Sequence, residues 1–402
     1  MRLRDRVDEP GARRRQVVGR HTAGADALFG ARHYRNYHFL LSLSNHVAHF
    51  GLEHHESNDS RTSERALVDD NLRRVAFGDL LPHEYTHSWN GKFRRGADLA
   101  TPNFNVPMQD SLLWVYEGQT QYWGNVLAGR AGLRTAEQSR DALALVAAAY
   151  TDNRAGLGWR ALQDTTNDPI IAQRRPKPYR GWQLSEDYYS GGQMIWLEVD
   201  ARIRAQSGGK RSLDDFARVF FGVDDGSWTV HPYTFDDVVR ALNGVVADDW
   251  ATFLRARLDG RTPITGGIAA AGWKLVYQDK PNDYAKAAAK EGGGADFLYS
   301  LGLTVDKDGK LGEVRWDGPA FRAGIGPGMQ LVAVDGREYK KDTLEDAVKA
   351  AKTGRAPITL LVKDFDRYRT VALDYHDGLR YPHLERIAGT PDRLSAIYAT
   401  RR

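Results

Sequence analysis

The sequence predicts a multidomain α+β protein with an N-terminal β segment, a mostly α-helical central domain and a β-rich C-terminal module. Three observations support this prediction. The chain has 402 residues, enough for two or three domains with buried cores. Apolar residues recur at helical spacing through most of residues 63–245. From about residue 295, short apolar runs alternate with Gly- and Asp-containing turns, as in small β-rich domains.

The composition is that of an ordinary soluble globular protein, with 42% hydrophobic and 27% charged residues. The formal net charge of +4 arises from 56 basic and 52 acidic residues that are mostly interspersed. Because there is no long basic stripe or RNA-binding signature, nucleic acid is not expected as a partner. The basic patch Arg13 to Arg15 is interpreted as a solvated tail. Because cysteine is absent, any metal must be bound by His, Asp or Glu.

No membrane span is expected, because no apolar run approaches the ~20 residues that are needed. The N-terminal stretch "MRLRDRVDEPGARRR" also lacks the apolar core of a secretory signal peptide. The sequence therefore predicts a soluble chain without a signal peptide and leaves its compartment open.

The first predicted elements lead to a conspicuous histidine motif. Residues 34–44, "YRNYHFLLSLS", alternate as in a strand, and "GLEHHESNDSR" after them resembles a turn. From Ser63 the apolar spacing is helical up to the motif. Pro82 lacks an N–H group, so it predicts either a kink or a helix that begins near it.

Five further helices are predicted after the motif. Three of them begin at residues that are good N-caps, namely Thr135, Ser212 and Thr234. The predicted helical stretches are 110–132, 135–153, 187–210, 212–222 and 234–245.

These patterns predict five consecutive regions. They are a partial N-terminal β segment at 1–65, a mostly helical domain at 66–265, a linker at 266–294, the β-rich module at 295–376 and a tail at 377–402.

The histidine motif is His83-Glu84-Tyr85-Thr86-His87. On a helix, positions i and i+4 project from nearly the same face, so His83 and His87 could bind one metal ion. Glu84 lies beside them and could reach a metal-bound water. The pentapeptide alone also permits an ordinary pair of surface or core histidines.

A third ligand is suggested by Glu117, the next Glu along the chain, in the apolar run "LLWVYEGQTQYWG". A buried carboxylate needs a partner, which could be a metal ion or a nearby arginine. A catalytic zinc site uses three protein ligands and leaves one position for water. The sequence therefore predicts zinc bound by His83, His87 and Glu117.

The motif and the strings around it resemble those of a known protein family. The strings "PHEYTHSWNGKFRR", "LLWVYEGQTQYWG" and "DYYSGGQMIWLEVDARIR", followed by the C-terminal module, resemble the glycyl aminopeptidase family of gluzincin metallopeptidases with a PDZ domain. The resemblance covers about residues 27–375 and implies a thermolysin-like catalytic domain. It implies that His83, His87 and Glu117 bind zinc, and that Glu84 is the general base and proton shuttle.

The same resemblance assigns a role to Tyr189. It matches the tyrosine of the family's Y-x-x-G motif, whose hydroxyl would donate to the tetrahedral oxyanion. The neighbouring Tyr188 leaves the assignment ambiguous by one residue, and Gly191 stands where relatives often carry a charge. The alternative is that Tyr189 is a packing aromatic at a helix start.

The segment "GLEHHES" resembles the family's G-L-E-H segment and the G-x-M-E-N segment of related aminopeptidases. The resemblance implies an edge strand, with Gly51 and Leu52, that binds the substrate backbone. It implies that Glu53 binds the free α-ammonium of a peptide substrate. The alternatives are a turn glutamate for Glu53 and, much less favoured, a second metal cluster formed by His46, His49, His54 and His55.

The module also carries a motif, since "YSLGL" matches the carboxylate-binding loop of PDZ domains. Backbone N–H groups of Ser300, Leu301, Gly302 and Leu303 could bind a peptide C-terminus, with "TLEDAVKAA" as the other wall of the groove. Docking of the module against the catalytic domain is the alternative.

The sequence thus predicts a zinc-dependent aminopeptidase that acts on peptides with a free N-terminus. The alternative is a truncated, inactive gluzincin scaffold that binds peptides through its PDZ domain. Relatives usually carry a sizeable β domain before the G-L-E-H segment, whereas 50 residues precede it here. Relatives are commonly exported or periplasmic.

Overall fold

The computed structural model describes residues 19, 22, 24–76, 78–171, 178–261 and 264–399. The predicted basic tail at Arg13 to Arg15 and the last three residues of the predicted C-terminal tail lie outside this description. None of the helices in the described ranges is both long enough and apolar enough to cross a membrane.

A three-stranded sheet forms the N-terminal β segment, with strands β1 (His38–Leu43), β2 (Phe50–Glu53) and β3 (Ser57–Thr62). The order is β1-β3-β2, and β3 pairs parallel with β1 and antiparallel with β2. The strand predicted at 34–44 is therefore confirmed with shorter bounds. The segment expected to be a turn contains the strands β2 and β3 with a short turn between them, and β2 lies at an edge of the sheet.

The central domain is mostly helical. Its helices are α1 (Asp70–Ala76), α2 (Leu80–Thr86), α3 (Leu113–Tyr116), α4 (Gly118–Arg130), α5 (Ala136–Asp152), α6 (Asp168–Ile171), α7 (Arg180–Gln183), α8 (Ser190–Gln206), α9 (Leu213–Phe221), α10 (Phe235–Val245) and α11 (Trp250–Leu258). Two short strands, β4 (Arg94–Gly96) and β5 (His231–Tyr233), pair in parallel. Two 3₁₀ segments lie at Ala155–Gly158 and Gln163–Asn167.

Local signals account for where several of these helices begin. The side chains of Thr135 and Thr234 accept hydrogen bonds from backbone N–H groups three residues on, as predicted for N-caps. The helix expected to run from Ser63 to the motif is divided into α1 and α2. Because α2 begins at Leu80, Pro82 lies in the first turn, where a missing N–H leaves no helical hydrogen bond unmade.

The central core is rich in tryptophan and brings two helix starts together. The fully buried tryptophans are Trp89, Trp114, Trp123, Trp196 and Trp250. Helices α4 and α8 cross where Gly118 meets Gly192, and a Cβ on either glycine would lie 2.7 Å from the Cα of the other. This approach needs glycine at both positions, and the N-cap residues of the two helices are Glu117 and Tyr189.

The segments predicted as linker and tail are both folded, which corrects the expectation. The first contains α12 (Gly266–Ala270), β6 (Trp273–Gln278) and α13 (Asp283–Gly292). The second contains β14 (Tyr381–Arg386), which pairs antiparallel with β6, and α16 (Arg393–Tyr398). The reason is burial: Trp273 and the apolar side of α16 belong to the central core.

The C-terminal module has its own core, separate from the central one. Its elements are β7 (Ala295–Phe297), β8 (Leu303–Val305), β9 (Leu311–Val314), α14 (Pro319–Arg322), β10 (Gln330–Val334), β11 (Arg337–Glu338), α15 (Lys341–Thr353), β12 (Ile358–Asp364) and β13 (Arg367–Leu373). They form a β7-β8-β9 sheet and a β11-β10-β12-β13 sheet. The β-rich pattern predicted for residues 295–376 is therefore confirmed.

Candidate active site

The three predicted metal ligands lie together in the interior. His83 Nε2 and His87 Nε2 are 3.0 Å apart, and each lies 3.3 Å from Glu117 Oε2. All three side chains are buried. His83 lies on α2, His87 caps the end of the same helix, and Glu117 caps the start of α4. The arrangement depends on Gly124, whose missing side chain lets α4 approach α2 at His83.

This triangle of donor atoms fits a zinc ion. Zinc bonds to histidine nitrogen and carboxylate oxygen are about 2.0–2.2 Å long, so tetrahedral ligand atoms lie roughly 3.3–3.5 Å apart. The observed separations are close to that range. Glu117 Oε2 is buried, and its near polar neighbours within the described part of the chain are the two histidine nitrogens at 3.3 Å, an arrangement that a shared cation would satisfy. The donor set could therefore hold a metal ion, and its two imidazoles and one carboxylate are of the kinds that zinc binds.

The imidazole of His87 is oriented by Asn90. His87 Nδ1 lies 2.9 Å from the carbonyl oxygen of Asn90, so Nδ1 carries the proton and Nε2 faces the other ligands. The Asn90 amide donates to the Val115 carbonyl oxygen at 2.8 Å and to Thr120 Oγ1 at 3.0 Å. Asn90 therefore ties the histidine helix to the segment that carries Glu117.

The charges of the cluster stabilise one another. Burial disfavours the charged form of His87, but the carboxylates of Glu117 and Glu53 outweigh it and raise the pKa of His87 to about 9. Burial likewise favours neutral Glu117, yet His87 and His83 hold its pKa well below the usual range. The site thus keeps Glu117 ionised, the form that can bind a cation.

Glu84 lies between the cluster and strand β2. A Cβ on Gly51 would lie 1.9 Å from Glu84 Oε1, so only glycine leaves room for this carboxylate. Burial raises the pKa of Glu84 above its ordinary value, although His83 and His87 act in the opposite direction. Glu84 is consequently suited to accept and hold a proton next to the three ligands.

Glu53, at the end of β2, extends the site beyond the ligands. One carboxylate oxygen each of Glu53 and Glu84 and a ring nitrogen of His87 lie within 4.8 Å of one another. Glu53 Oε1 accepts a hydrogen bond from Tyr116 Oη at 2.7 Å and lies 3.3 Å from Lys92 Nζ. Burial would raise the pKa of Glu53, but the charges of His87 and Lys92 lower it to about 2. An ionised carboxylate therefore lies at the edge strand, beside the cluster.

The ring of Tyr189 lies beside the imidazole of His83, one of the three candidate ligands. The ring centroids of Tyr189 and His83 are 6.1 Å apart with an interplanar angle of 22°. Tyr188 is 1% exposed and belongs to the central core. On the edge strand β2, the side chain of Leu52 is 46% exposed to solvent. The assignment of the oxyanion donor to Tyr189 and not to Tyr188 stays a prediction.

The predicted carboxylate-binding loop of the module contacts its own chain. The N–H groups of Ser300 and Gly302 donate to the carbonyl oxygen of Phe297, at 3.1 and 3.0 Å. Strand β7 pairs antiparallel with β8, with Phe297 opposite Leu303, along the edge where a bound peptide was expected. The expectation that these two N–H groups receive a peptide carboxylate therefore needs correction, because a preceding carbonyl already occupies them.

The rival metal cluster does not form among the described residues. The groups of three or more potential ligands there are His83 with His87 and Glu117, and Glu53 with Glu84 and His87. His49 instead contacts the carbonyl oxygen of Ser44. The other histidines near residue 50 join neither group.

Three contributors to the site were not predicted, namely Asn90, Lys92 and Tyr116. All three lie within the quoted strings "PHEYTHSWNGKFRR" and "LLWVYEGQTQYWG". Their proximity to the ligands along the chain is the signal that could have drawn attention to them. Their partners, however, follow from the packing of α2, α3 and β2, which no local pattern specifies.

Comparison with known proteins gives an independent result. Residues 76–195 match the M61 glycyl aminopeptidase family. The matched segment contains the candidate ligands His83, His87 and Glu117, together with Glu84 and Tyr189, whereas Glu53 lies outside it. A search of curated proteins found no match.

The fold is similar to that of a solved structure, the crystal structure of an aminopeptidase N family protein from Idiomarina loihiensis. The TM-score is 0.74, with 20% sequence identity over 96% of this chain. This chain spans 66% of the length of that structure. At this identity the similarity establishes a shared fold.

Proposed function

We propose that this chain is a zinc-dependent aminopeptidase of the gluzincin type. The observation that carries the proposal is the buried triangle of His83, His87 and Glu117, with the edge strand that bears Glu53 directly beside it. The glycyl aminopeptidase match of residues 76–195 supports a peptidase function.

The proposed chemistry divides between a metal ion and the residues around it. Zinc bound by the three ligands would supply Lewis acidity to a water molecule and to the substrate carbonyl. Glu84 would take a proton from the attacking water and later pass it to the departing amine. The hydroxyl group of Tyr189 would donate a hydrogen bond to the oxyanion.

Substrate binding is assigned to β2. Gly51 and Leu52 lie on an edge strand, where a peptide backbone can pair. The carboxylate of Glu53 would bind the substrate α-ammonium. Lys92 Nζ lies 3.3 Å from Glu53 Oε1. The substrate ammonium would therefore either share the Glu53 carboxylate with Lys92 or displace the Lys92 side chain from it.

The first prediction concerns selectivity for a free N-terminus. The parent protein should hydrolyse aminoacyl 4-nitroanilides and not their N-acetylated forms, because acetylation removes the charge that Glu53 binds. We expect kcat/KM to differ by at least about 100-fold, the equivalent of roughly 3 kcal/mol for a broken buried ion pair. Glu53→Gln should reduce this difference, mainly through a lower rate on the free substrates.

The matched control is Glu56→Gln. Glu56 lies in the turn that follows β2, and its carboxylate pairs with Arg35 at the surface. That variant should retain the parental selectivity. Equal kcat/KM values for free and acetylated substrates in the parent would indicate an endopeptidase and remove Glu53 from substrate recognition.

The second prediction separates the two adjacent tyrosines. Tyr189→Phe should lower kcat by roughly 10²-fold, as expected for one lost oxyanion donor, with little change in zinc content. Tyr188→Phe should retain most of the activity, because its ring belongs to the core. The measurement is kcat for both variants, and the reverse pattern would transfer the role to Tyr188.

The alternative function, an inactive scaffold that binds peptides through its module, is less well supported. The ligand triangle is complete, and the N–H groups of Ser300 and Gly302 are engaged by Phe297.

A further inference from the structure

We propose that the C-terminal module holds the loop at residues 178–187 in the conformation that positions Tyr189 at the active site. The module is thereby a positioning element for catalysis. This inference rests on the proposed function for the role of Tyr189, but not for the contacts that constrain the loop.

The loop has an unfavourable backbone conformation. Tyr179, Leu184 and Glu186 all have positive φ angles, of 51°, 57° and 51°. Residues other than glycine rarely adopt this region, and they remain there only when their surroundings hold them. The C-terminal end of the loop is connected to Tyr189, because the N–H of Tyr189 donates to the carbonyl oxygen of Glu186 at 3.1 Å.

Aromatic side chains of the module pack against the first half of the loop. Trp316 stacks on Trp182 with ring centroids 4.3 Å apart and an interplanar angle of 14°. Tyr179 packs edge-on against both Trp316 and Phe321, at centroid distances of 5.7 and 5.6 Å. Such contacts stabilise an aromatic pair beyond the burial of its surface. The strained Tyr179 is therefore held by the module.

A polar connection joins the module to the residues just before Tyr189. Glu313 Oε1, on β9, accepts a hydrogen bond of 2.7 Å from the Asn153 amide at the end of α5. The next residue, Arg154, donates from Nε to Asp187 Oδ1 at 2.6 Å. Arg154 and Asp187 are both largely buried, so this ion pair is well shielded from solvent.

Asp187 is also held from within the catalytic domain. Its Oδ1 accepts a hydrogen bond from Tyr150 Oη at 2.8 Å, and its Oδ2 accepts one from the N–H of Ser185 at 2.7 Å. The central domain thus holds the loop at Asp187 and at the Trp182 carbonyl oxygen, which accepts a hydrogen bond from Trp159 Nε1 at 3.0 Å, whereas the module holds the rings of Tyr179 and Trp182. Because Asp187 and the Gly118–Gly192 contact still hold the start of α8, loss of the module contacts should free the first half of the loop and displace the Tyr189 side chain only slightly, while the proposed zinc ligands on α2 and α4 stay in place.

The test uses the full chain with Trp316→Ala. Hydrogen–deuterium exchange should become faster in peptides from residues 178–189 and stay unchanged in peptides from α2. With aminoacyl 4-nitroanilides, we expect kcat to fall by about 10-fold, KM to change little and zinc content to remain parental. Trp316→Phe, which keeps an aromatic ring, should recover most of the rate. The control is Phe365→Ala, which removes a fully solvent-exposed aromatic of the same module and should change none of these quantities.

A double-mutant cycle distinguishes positioning from general destabilisation. If Trp316 acts through Tyr189, Trp316→Ala should cost almost nothing in a Tyr189→Phe background. Additive losses in kcat would overturn the proposal, as would unchanged exchange at 178–189 in Trp316→Ala.

Two further results keep the test decisive. If Trp316→Ala fails to fold, Glu313→Ala replaces it, and faster exchange at 178–189 is again required. If the parent protein hydrolyses no substrate while exchange responds as expected, the proposed function fails and the structural role of the module stands.

Discussion

Glu84→Gln is expected to retain bound zinc and to lose at least about 10³-fold in kcat, the scale of a lost general base. The change preserves the shape of the side chain, so the close contact with Gly51 and the fold of α2 should be unaffected. It removes only the ability to take and hold a proton beside the three ligands. The measurement is kcat on an aminoacyl 4-nitroanilide, together with zinc content by elemental analysis.

A matched control for this substitution is Glu137→Gln, which makes the same chemical change in an exposed residue of the first turn of α5. It should leave both kcat and zinc content at parental values. A Glu84→Gln variant that works at nearly the parental rate would exclude Glu84 from proton transfer and leave the proposed mechanism without a base.

The parent protein should bind one zinc ion per chain, and His83→Ala should bind almost none after dialysis. Three converging donor atoms would hold the ion, so the loss of one would leave only two protein ligands, fewer than catalytic zinc sites use. Hydrolysis should fall to background with the metal, and chelation of the parent should have the same effect. Elemental analysis and kcat, measured on the same preparations, test both statements.

His46→Ala is the control, because His46 is an exposed histidine outside the ligand group. It should retain one zinc ion and full activity. Circular dichroism of both variants guards against unfolding as the cause of metal loss. Equal zinc content in His83→Ala and the parent would show that the ion, if present, is bound elsewhere.

Local chemistry explains the part of the site that could be predicted from sequence. The spacing of His83 and His87 places them on one face of a helix, and that relation holds wherever the helix packs. Glu117 was found because a carboxylate in an apolar helix requires a partner. The position of Pro82 correctly indicated where α2 begins.

Pairing between distant segments could not be predicted in the same way. The segments expected as linker and tail form a two-stranded sheet, with Trp273 opposite Arg386. Each strand alone is a short amphipathic run, and its pairing partner depends on the surface that the two strands cover together. For the same reason, the sequence did not predict that β7 pairs with β8 and that the Phe297 carbonyl oxygen on β7 accepts hydrogen bonds from the predicted peptide-binding loop.

The sequence by itself predicted the His83–His87 pair, the carboxylate of Glu84 beside it and the division into helical and β-rich regions, because each depends on spacing within one element, and it proposed Glu117 because a carboxylate in an apolar run needs a partner. Only the tertiary structure decided how the site is completed. It brought Glu53 on β2 to Lys92 and Tyr116, and it placed Trp316 of the module against the loop before Tyr189. These contacts join residues far apart in the chain, and they arise from packing of whole elements, which local periodicity does not encode.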